Sequence, residues 1–387
     1  MRSHAIGPEM DKTYDLAIVG AGIVGLAHAY AAAKLGKRIV VIERDSRANG
    51  ASIRNFGFVT VTGQARGETW RRALRTRDIW AEVAPAAGIP VEHEGLLLTL
   101  RRPESMRVAE TFLKTEMGEG CAIFDRAALL ARLPSATGTL GALWSPHELR
   151  VESRTAIPRL AAWLRERWGV DFLFDTAVLE VEPPRLRTSR GLIAADSAIV
   201  CPGDDFVSLF ADRIAAYRAT KCRLSMLRLA DPGFRLPAAL MSDLGLVRYL
   251  GYSALPESAV LRARLAAEQQ PHLDHGVHLI VVQSADGSLV VGDSHHYDGT
   301  PGPFAEAETE RLILDEFHAA TGIAPPPVTE RWTGVYATAQ DRAMFVDAPS
   351  PRVRIVMVTS GTGASTSFAI AEEVIGALYD RKIGAVA

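Results

Sequence analysis

The residues with the clearest chemical meaning are three glycines and one carboxylate near the amino terminus. Gly20, Gly22 and Gly25 follow a short apolar run and open an alanine-rich segment, and Glu43 comes eighteen residues after Gly25. Glycines at this spacing allow a tight turn, a close approach of the backbone to a pyrophosphate and close packing of helix on strand, while the carboxylate can accept hydrogen bonds from a ribose. The pattern predicts a dinucleotide-binding turn, and a purely structural glycine turn is the alternative.

A second glycine turn lies near the carboxyl terminus, in Ser360-Gly361-Thr362-Gly363-Ala364-Ser365. It also stands between an apolar run and a helical pattern, so its backbone N–H groups and the positive end of the helix would face a negatively polarised group. In a flavoenzyme that group is the N1/O2 edge of the flavin, which gains charge on reduction. A nicotinamide enzyme has no evident use for a second turn of this kind. The two turns together favour FAD over NAD, and a structural strand-to-helix turn is again the alternative.

Both turns need parallel strands to hold them, and the flanking sequence supplies these strands. Residues 16–19 and 38–42 are continuous apolar runs, as expected for parallel strands that are covered on both faces, and an alanine-rich helix separates them. The same order of strand, turn and helix recurs around the second glycine turn. We therefore predict an α/β fold with a doubly wound sheet.

The remaining segments predict a second domain that interrupts the first. Residues 278–297 contain two strand-like runs around Asp286-Gly287, a pair typical of a type I′ hairpin turn. We predict a discontinuous nucleotide-binding domain over 12–90, 151–215 and 326–387. The second, substrate-binding domain is predicted to be largely antiparallel and to occupy 91–150 and 216–325.

Composition excludes several classes of function. The 387 residues include 43 Lys plus Arg and 45 Asp plus Glu, a net charge of −2, so we expect no binding to nucleic acid or acidic membranes. Three scattered cysteines predict neither a disulfide scaffold nor a zinc cluster, and they suit a reducing compartment. Residues 1–12 lack the apolar core of a secretory signal, and no apolar run approaches the length of about 18 residues that spans a bilayer. We expect a soluble cytoplasmic protein.

Four motifs resemble those of one known family, the FAD-dependent amine oxidoreductases that include D-amino-acid oxidase, glycine oxidase and monomeric sarcosine oxidase. They are GAGIVG with Glu43, GASIRNFGF at 50–58, the TAVLEVEPP and IVCPG runs, and WTGVYATAQD followed by SGTGASTSFAIAEEV. The resemblance implies a glutathione-reductase-like Rossmann domain that binds FAD. The cofactor contacts that it implies are Gly20, Gly22, Ile23, Val24, Gly25, Glu43, Arg44, Ser52, Arg54, Asn55, Phe56, Val178, Gly203, Gly361, Thr362, Gly363, Ala364 and Ser365.

Departures from the family pattern bear on the substrate. Alignment on Asp341 places Tyr336-Ala337 where glycine oxidases have an Arg-Pro pair whose arginine grips the substrate carboxylate. Loss of that guanidinium argues against an ordinary α-amino acid. Gly334 stands where sarcosine oxidases have the cysteine that attaches their flavin, so we expect non-covalent FAD. The same motifs most resemble a subgroup associated with phosphonate catabolism, which implies an aminophosphonate substrate.

An anionic substrate then needs a cation elsewhere, and several residues are candidates. His295 or His296, with Tyr336, is expected at the catalytic centre, and only one of the two adjacent histidines is expected to point inward. Predicted substrate contacts are Arg248, Tyr249, Tyr252, Lys221 and Gln64. No metal-binding motif, serine-hydrolase elbow or phosphate-binding Walker motif is present in the sequence, so no metal site is expected.

The predicted function is FAD-dependent oxidation of a small amine, with hydride transfer to flavin N5 and hydrolysis of the resulting imine. The hypothetical substrate is a primary or N-methyl aminoalkylphosphonate, such as a derivative of 2-aminoethylphosphonate, with oxygen or an electron carrier as acceptor. Two alternatives stay open: an oxidase of the glycine or sarcosine type or an amine dehydrogenase that uses a carrier, and a flavin-binding subunit without turnover.

Overall fold

The computed structural model describes residues 12–381 and contains two large β-sheets flanked by helices. Residues 1–11, which include most of the segment examined for a secretory signal, and residues 382–387, at the end of the predicted nucleotide-binding domain, lie outside the described part. The strands are β1 (Thr13–Val19), β2 (Ile39–Ile42), β3 (Phe58–Val59), β4 (Val91–Leu100), β5 (Ala122–Asp125), β6 (Gly141–Val151), β7 (Asp171–Leu173), β8 (Val178–Glu182), β9 (Arg185–Thr188), β10 (Gly191–Val200), β11 (Thr220–Leu229), β12 (Ala239–Met241), β13 (Ile280–Gln283), β14 (Leu289–Gly292), β15 (His296–Asp298), β16 (Val328–Thr338), β17 (Met344–Ser350) and β18 (Val353–Val358).

Helices cover one face of the first sheet, the β8–β9 hairpin packs on its other face, and further helices pack on the second sheet. The α-helices are α1 (Ile23–Lys34), α2 (Glu68–Ala86), α3 (Pro103–Phe112), α4 (Arg126–Leu130), α5 (Ser153–Trp168), α6 (Ala211–Ala215), α7 (Leu250–Ser253), α8 (Ser258–Asp274), α9 (Ala307–Thr321) and α10 (Gly363–Tyr379), and short 3₁₀ turns span Ala51–Ile53, Glu116–Gly118 and Asp243–Val247. Over residues 12–381, none of these helices is both long and apolar enough to cross a membrane.

The first sheet has the order β17-β18-β10-β1-β2-β7, with the β8–β9 hairpin attached beside β10. Strand β1 runs parallel to both β10 and β2, and β10 runs parallel to β18. Ile39, Val40, Val41 and Ile42 are all buried. Burial on both faces of a parallel sheet explains why all four residues of β2 are apolar. Helix α1 is almost entirely buried, and its alanines let it approach this sheet closely. The predicted α/β fold with a doubly wound sheet is confirmed.

The second sheet is largely antiparallel and has the order β15-β11-β14-β13-β12-β4-β6-β3, with β16 also paired to β11 and β5 to β6. The predicted hairpin joins β13 to β14, but its turn is not type I′. Type I′ needs positive φ at both central residues, whereas here only Gly287, with φ +85°, has it, and the Gly287 amide donates to the Ser284 carbonyl at 3.0 Å. The connection is a three-residue loop with glycine in the left-handed position.

Three stretches lie elsewhere than the sequence suggested. Strand β16 is within 326–387 and β3 is within 12–90, yet both pair in the second sheet, with β11 and β6 respectively. These two strands therefore carry parts of the predicted nucleotide-binding segments into the second sheet. The stretch around Arg248, treated as part of the antiparallel domain, is a 3₁₀ turn followed by the short helix α7.

A buried ion network ties α3, α8 and α9 to the second sheet. Asp243 is fully buried and accepts two hydrogen bonds at 2.9 Å from Arg102 Nη1 and one at 3.2 Å from the Arg101 amide. Glu316, also fully buried, accepts from Arg101 Nη2 at 2.7 Å and from Gln269 at 2.8 Å. Each buried charge is therefore compensated by hydrogen-bonded partners.

Replacing Asp243 with Asn should destabilise the protein by about 1–3 kcal/mol, because the amide keeps the shape but leaves two buried guanidinium groups short of a charged acceptor. Denaturant unfolding of the FAD-loaded protein measures this change. Asp315→Asn is the matched control, since Asp315 pairs with Arg311 at an exposed helix surface and its replacement should leave stability close to that of the wild type. Equal stabilities for the two variants would contradict a structural role for the network.

Candidate active site

A cavity of about 370 Å³ lies between the two sheets, and both glycine turns reach it. Its walls come from the first turn and α1, the segment 51–65, the stretch around Arg248, the β13–β14 hairpin, strand β16, and the second turn with the start of α10. Because these elements are far apart in sequence, the cavity exists only in the folded chain.

The amino-terminal glycine turn is packed too tightly for any side chain. Gly20 has φ +103°, and a Cβ atom there would lie 2.6 Å from the Cys201 carbonyl oxygen. A Cβ on Gly22 would lie 2.9 Å from Ser52 Oγ, and one on Gly25 would lie 1.9 Å from the Gly20 carbonyl oxygen. Gly20 and Gly25 thus let the turn pack closely on the protein, and the bare Gly22 and Gly25 line the cavity, where the backbone can approach a pyrophosphate.

The segment after β2 closes over this turn. Ser52 Oγ accepts a hydrogen bond of 2.9 Å from the Ile23 amide at the start of α1. Asn55 fixes its own loop, donating to the Ala51 carbonyl at 2.7 Å and accepting from the Gly57 amide at 2.7 Å. Arg54 and Phe56 line the cavity beside Ser52. The side chains that the family resemblance assigned to this segment therefore stand along the cavity wall.

The carboxyl-terminal turn forms the opposite end of the cavity. Gly361, Thr362, Gly363, Ala364 and Ser365 all line the cavity, and α10 begins at Gly363. Ser365 Oγ accepts from the Thr60 amide at 2.9 Å, and Trp80 Nε1 donates to the Ala364 carbonyl at 2.9 Å, so the helix start is held from two sides. A helix amino terminus fixed in this way presents positively polarised N–H groups to the cavity.

Four of the predicted cofactor residues do not line this cavity. Gly20 lies beneath the turn, and the Glu43 carboxylate accepts from the Ala21 amide at 2.8 Å. Arg44 is exposed and pairs with Asp205 at 2.9 Å, while Val178 is half-buried at the start of β8. A second cavity is lined by Ala21 and by Arg54, which also lines the first. Glu43 therefore stands at the turn itself, and roles for Arg44 and Val178 stay predictions.

Five predicted substrate-side residues meet in the first cavity: Gln64, Arg248, Tyr249, His295 and Tyr336. Tyr336 and Tyr297 are both register partners of Cys222, on the two sides of β11. The Tyr297 hydroxyl accepts from both Arg248 Nη1 and Arg248 Nη2 at 3.1 Å. The Tyr336 ring also approaches the second glycine turn, since a Cβ on Gly361 would lie 3.0 Å from Tyr336 Cζ.

Three other predicted residues are placed elsewhere. Tyr252 is fully buried under the cavity floor and packs on Phe112 with a ring separation of 4.8 Å, because α7 turns it toward the core. Lys221 lies 4.0 Å from Asp204 and outside the cavity, since its neighbour Cys222 takes the inward position on β11. The His296 ring faces His275 at 5.4 Å, whereas His295 lines the cavity.

The structure also brings together a cluster that the sequence did not indicate, which consists of His278, Asp293 and His295. His278 Nδ1 lies 3.2 Å from Asp293 Oδ1, and His295 Nε2 lies 3.8 Å from Asp293 Oδ2. One ligand atom from each residue lies within 4.8 Å of the others, which is a separation suited to holding a metal ion. Tyr249 Oη stands 3.1 Å from His278 Nε2 at the edge of the cluster.

Burial sets the protonation of this cluster. Desolvation raises the pKa of Asp293 to about 7, although the positive charge of Arg248 pulls it down. Desolvation and then Arg248 hold the pKa of both His278 and His295 well below the usual range. The pKa of Arg248 is raised: burial opposes its charge, but Tyr336, Tyr297 and Asp293 outweigh that effect. The imidazoles are therefore neutral at physiological pH, and Arg248 is a permanent cation.

The cavity residues fit a flavin dinucleotide. A bare glycine turn with a capped helix start lies at one end, and a second helix start lies at the other, beside Tyr336. Gly22, Ile23, Ser52 and Arg54 would hold the pyrophosphate, and the N–H groups of the second turn would face the electron-rich edge of the flavin. Gly334 offers no side chain for a covalent link.

Comparisons with known proteins agree with this geometry. D-amino acid dehydrogenase 2 of Mesorhizobium japonicum is 25% identical, over 49% of this chain and 61% of the relative. Glycine oxidase of Bacillus licheniformis is 26% identical, over 50% of this chain and 55% of the relative. The matches thus span less than two thirds of each relative's length. The solved structure of glycine oxidase from Geobacillus kaustophilus superposes with a TM-score of 0.75 over 96% of both chains at 16% identity, and this likeness shows the fold.

A family model described as FAD dependent oxidoreductase matches residues 15–376, which is nearly the whole described chain and includes both glycine turns. The match accounts for the two turns, the cavity between them and the implied cofactor together. This chain belongs to that family of FAD dependent oxidoreductases, and FAD is its cofactor.

Proposed function

We propose that this protein oxidises a small amine that carries an anionic group at its other end. The observation that carries the proposal is the position of Arg248. Among the described residues that line the first cavity, only Arg54 and Arg248 carry a permanent positive charge, and Arg54 stands beside Ser52 at the glycine turn. Arg248 is therefore the cation available to an anion on the substrate side.

The residues around Arg248 are arranged to position the amine. Bound FAD supplies a hydride acceptor, and the protein must hold a C–H bond of the substrate against it. Tyr336 lies between the second glycine turn and Arg248, and Tyr249 and His295 face the same space. We assign Tyr336 to orientation of the amine and Arg248 to the anion. No acid or base side chain is needed for hydride transfer itself.

The narrower proposal is an aminoalkylphosphonate, primary or N-methylated. Two features support it. No arginine stands at Tyr336-Ala337, where it would bind a carboxylate beside the amine, and Arg248 lies on a different element from that position. A substrate with its anion displaced from the reacting carbon suits this layout better than an α-amino acid. The names of the relatives, glycine oxidase and D-amino acid dehydrogenase, favour an amino acid and define the competing candidate.

Two proposals, amine oxidation and the aminophosphonate substrate, are tested by one experiment. The FAD-loaded protein is mixed anaerobically with glycine, sarcosine, D-alanine, 2-aminoethylphosphonate and its N-methyl derivative. We expect the flavin absorbance to bleach with an aminophosphonate and only weakly with the amino acids. Bleaching by glycine, sarcosine or D-alanine alone would keep amine oxidation and reject the phosphonate. Failure of every amine, with a stable partner protein in pull-down, would favour a flavin-binding subunit without turnover.

Admission of air after bleaching identifies the electron acceptor. Rapid recovery of the oxidised spectrum with formation of hydrogen peroxide indicates an oxidase. Slow recovery in air, together with fast recovery on addition of a quinone or other artificial acceptor, indicates a dehydrogenase that uses a carrier.

A further inference from the structure

The His278–Asp293–His295 cluster has polar atoms that face one another without hydrogen bonds. His278 Nδ1 and Asp293 Oδ1 are buried and have no hydrogen-bond partner, although they lie only 3.2 Å apart. His278 is 3% exposed, Asp293 4% and His295 7%, so bulk water does not reach them freely. Buried lone pairs at this separation are unfavourable unless a shared proton or a cation lies among them.

The outward-facing atoms of the two imidazoles are engaged. His295 Nδ1 lies 2.9 Å from the Gly276 carbonyl, which can only accept, so this nitrogen carries the proton and Nε2 presents its lone pair to Asp293. His278 Nε2 lies 3.1 Å from the Tyr249 hydroxyl, and donation to that oxygen leaves the lone pair on Nδ1. Histidines that bind metals show this arrangement: the outer N–H is held by a carbonyl, hydroxyl or carboxylate, which fixes the ring and its tautomer.

We propose that His278 Nδ1, His295 Nε2 and one Asp293 carboxylate oxygen bind a divalent transition metal ion of the zinc type. Two imidazoles and one carboxylate form a donor set that suits such ions. Three protein ligands leave at least one coordination position open, and all three residues line the first cavity. The open position therefore faces the space assigned to the substrate.

The charge of Arg248 decides what the metal would do. A divalent ion beside Asp293 and Arg248 leaves a net positive charge in a buried wall, which is costly unless an anion joins it. Resting on the proposed function, the anionic group of the substrate fills this role, bound by the metal and Arg248 together. Metal and anion then strengthen each other's binding by the same factor.

Metal content and anion binding test this site without turnover. The FAD-loaded protein is incubated with ZnCl₂, passed through a desalting column and analysed by mass spectrometry for zinc and by absorbance for FAD. We expect about one zinc per FAD, as a single site requires. Methylphosphonate, titrated while the flavin spectrum is recorded, should bind at least about tenfold more tightly to the zinc-loaded protein than to protein treated with dipicolinate, which should keep its FAD.

Variants locate the ion. Asp293→Asn and His295→Gln should lose the zinc and the tenfold difference while keeping FAD, and Tyr249→Phe should weaken zinc binding by about tenfold, because only the support of His278 is lost. His318→Gln on α9, outside the cavity, is the matched control and should retain zinc. If the variants do not fold, the native protein is titrated with cobalt instead, and binding is monitored by the visible absorption of the bound ion.

The outcomes separate this proposal from the proposed function. Zinc at background level after desalting, with amines still bleaching the flavin, would overturn the metal site and keep amine oxidation. Bound zinc without any effect on methylphosphonate would overturn the anion role. Bound zinc with enhanced methylphosphonate binding, but no bleaching by any amine, would support the site while the proposed function fails.

Discussion

Substitution of Gly22 by valine is expected to abolish retention of FAD. A Cβ atom at this position would lie 2.9 Å from Ser52 Oγ, and the γ-methyl groups of valine would extend into the cavity beside the start of α1. The substitution would therefore displace the segment that covers the turn and fill the space where the backbone must approach a pyrophosphate. Purified Gly22→Val protein should be colourless and should not recover the flavin spectrum when FAD is added.

Gly138→Val provides the matched control. A Cβ atom on Gly138 meets nothing within 4 Å, and the residue lies outside the described cavity lining. It should bind FAD in the wild-type ratio. Circular dichroism and denaturant unfolding of both apoproteins check that the fold is kept. A yellow Gly22→Val protein with normal FAD content would show that the amino-terminal turn is not the cofactor-binding turn.

The sequence predicted this turn because all of its information is local. Gly20, Gly22 and Gly25 lie within six residues, and the flanking apolar runs can adopt little other than buried strands. The carboxyl-terminal turn could be predicted for the same reason. Both turns and the doubly wound sheet could therefore be derived before any long-range contact was known.

The substrate side could not be derived in this way, because its residues come together through tertiary contacts. His278 and Asp293 flank the β13–β14 hairpin, and their approach depends on irregular backbone at its open end. Leu279, next to His278, has φ +48°, a conformation that branched side chains rarely adopt and that breaks the alternation of a strand. Strand periodicity thus gave no signal for this cluster.

Tyr252 and Lys221 illustrate the same limit. Residue type alone made both of them candidates, but burial and local geometry decided their positions. Tyr249 precedes α7 and has an extended backbone, whereas Tyr252 lies within α7 and packs on Phe112 in the core, so only Tyr249 reaches the cavity. Lys221 on β11 lies next to Cys222, and adjacent strand residues point to opposite faces.

Replacing Arg248 with methionine should raise KM for an anionic amine by about 30-fold or more, equivalent to about 2 kcal/mol, because a buried charge-assisted contact to the substrate is lost. Methionine keeps the apolar bulk of the side chain, and FAD content should not change, since Arg248 pairs with Tyr297 and is not part of either glycine turn. The rate of flavin reduction at saturating amine should change much less than KM, because the contact acts on binding and not at the reacting bond. Rapid-mixing measurements of flavin bleaching give the limiting rate of reduction, and steady-state turnover over a range of amine concentrations gives KM.

Lys221→Met tests whether the substrate anion binds Arg248, which lines the cavity, or Lys221, which was a candidate only because it is a cation. Both side chains are cations on the second domain, but Lys221 is directed toward Asp204 and Phe206 instead of the cavity. Its removal should leave KM for the anionic amine within about twofold of wild type, as expected for an exposed or solvent-screened charge. The reverse result, a large rise in KM for Lys221→Met and none for Arg248→Met, would place the substrate anion outside the cavity. It would also remove the observation on which the proposed substrate class depends, since Arg248 is the cation that the described substrate-side wall provides.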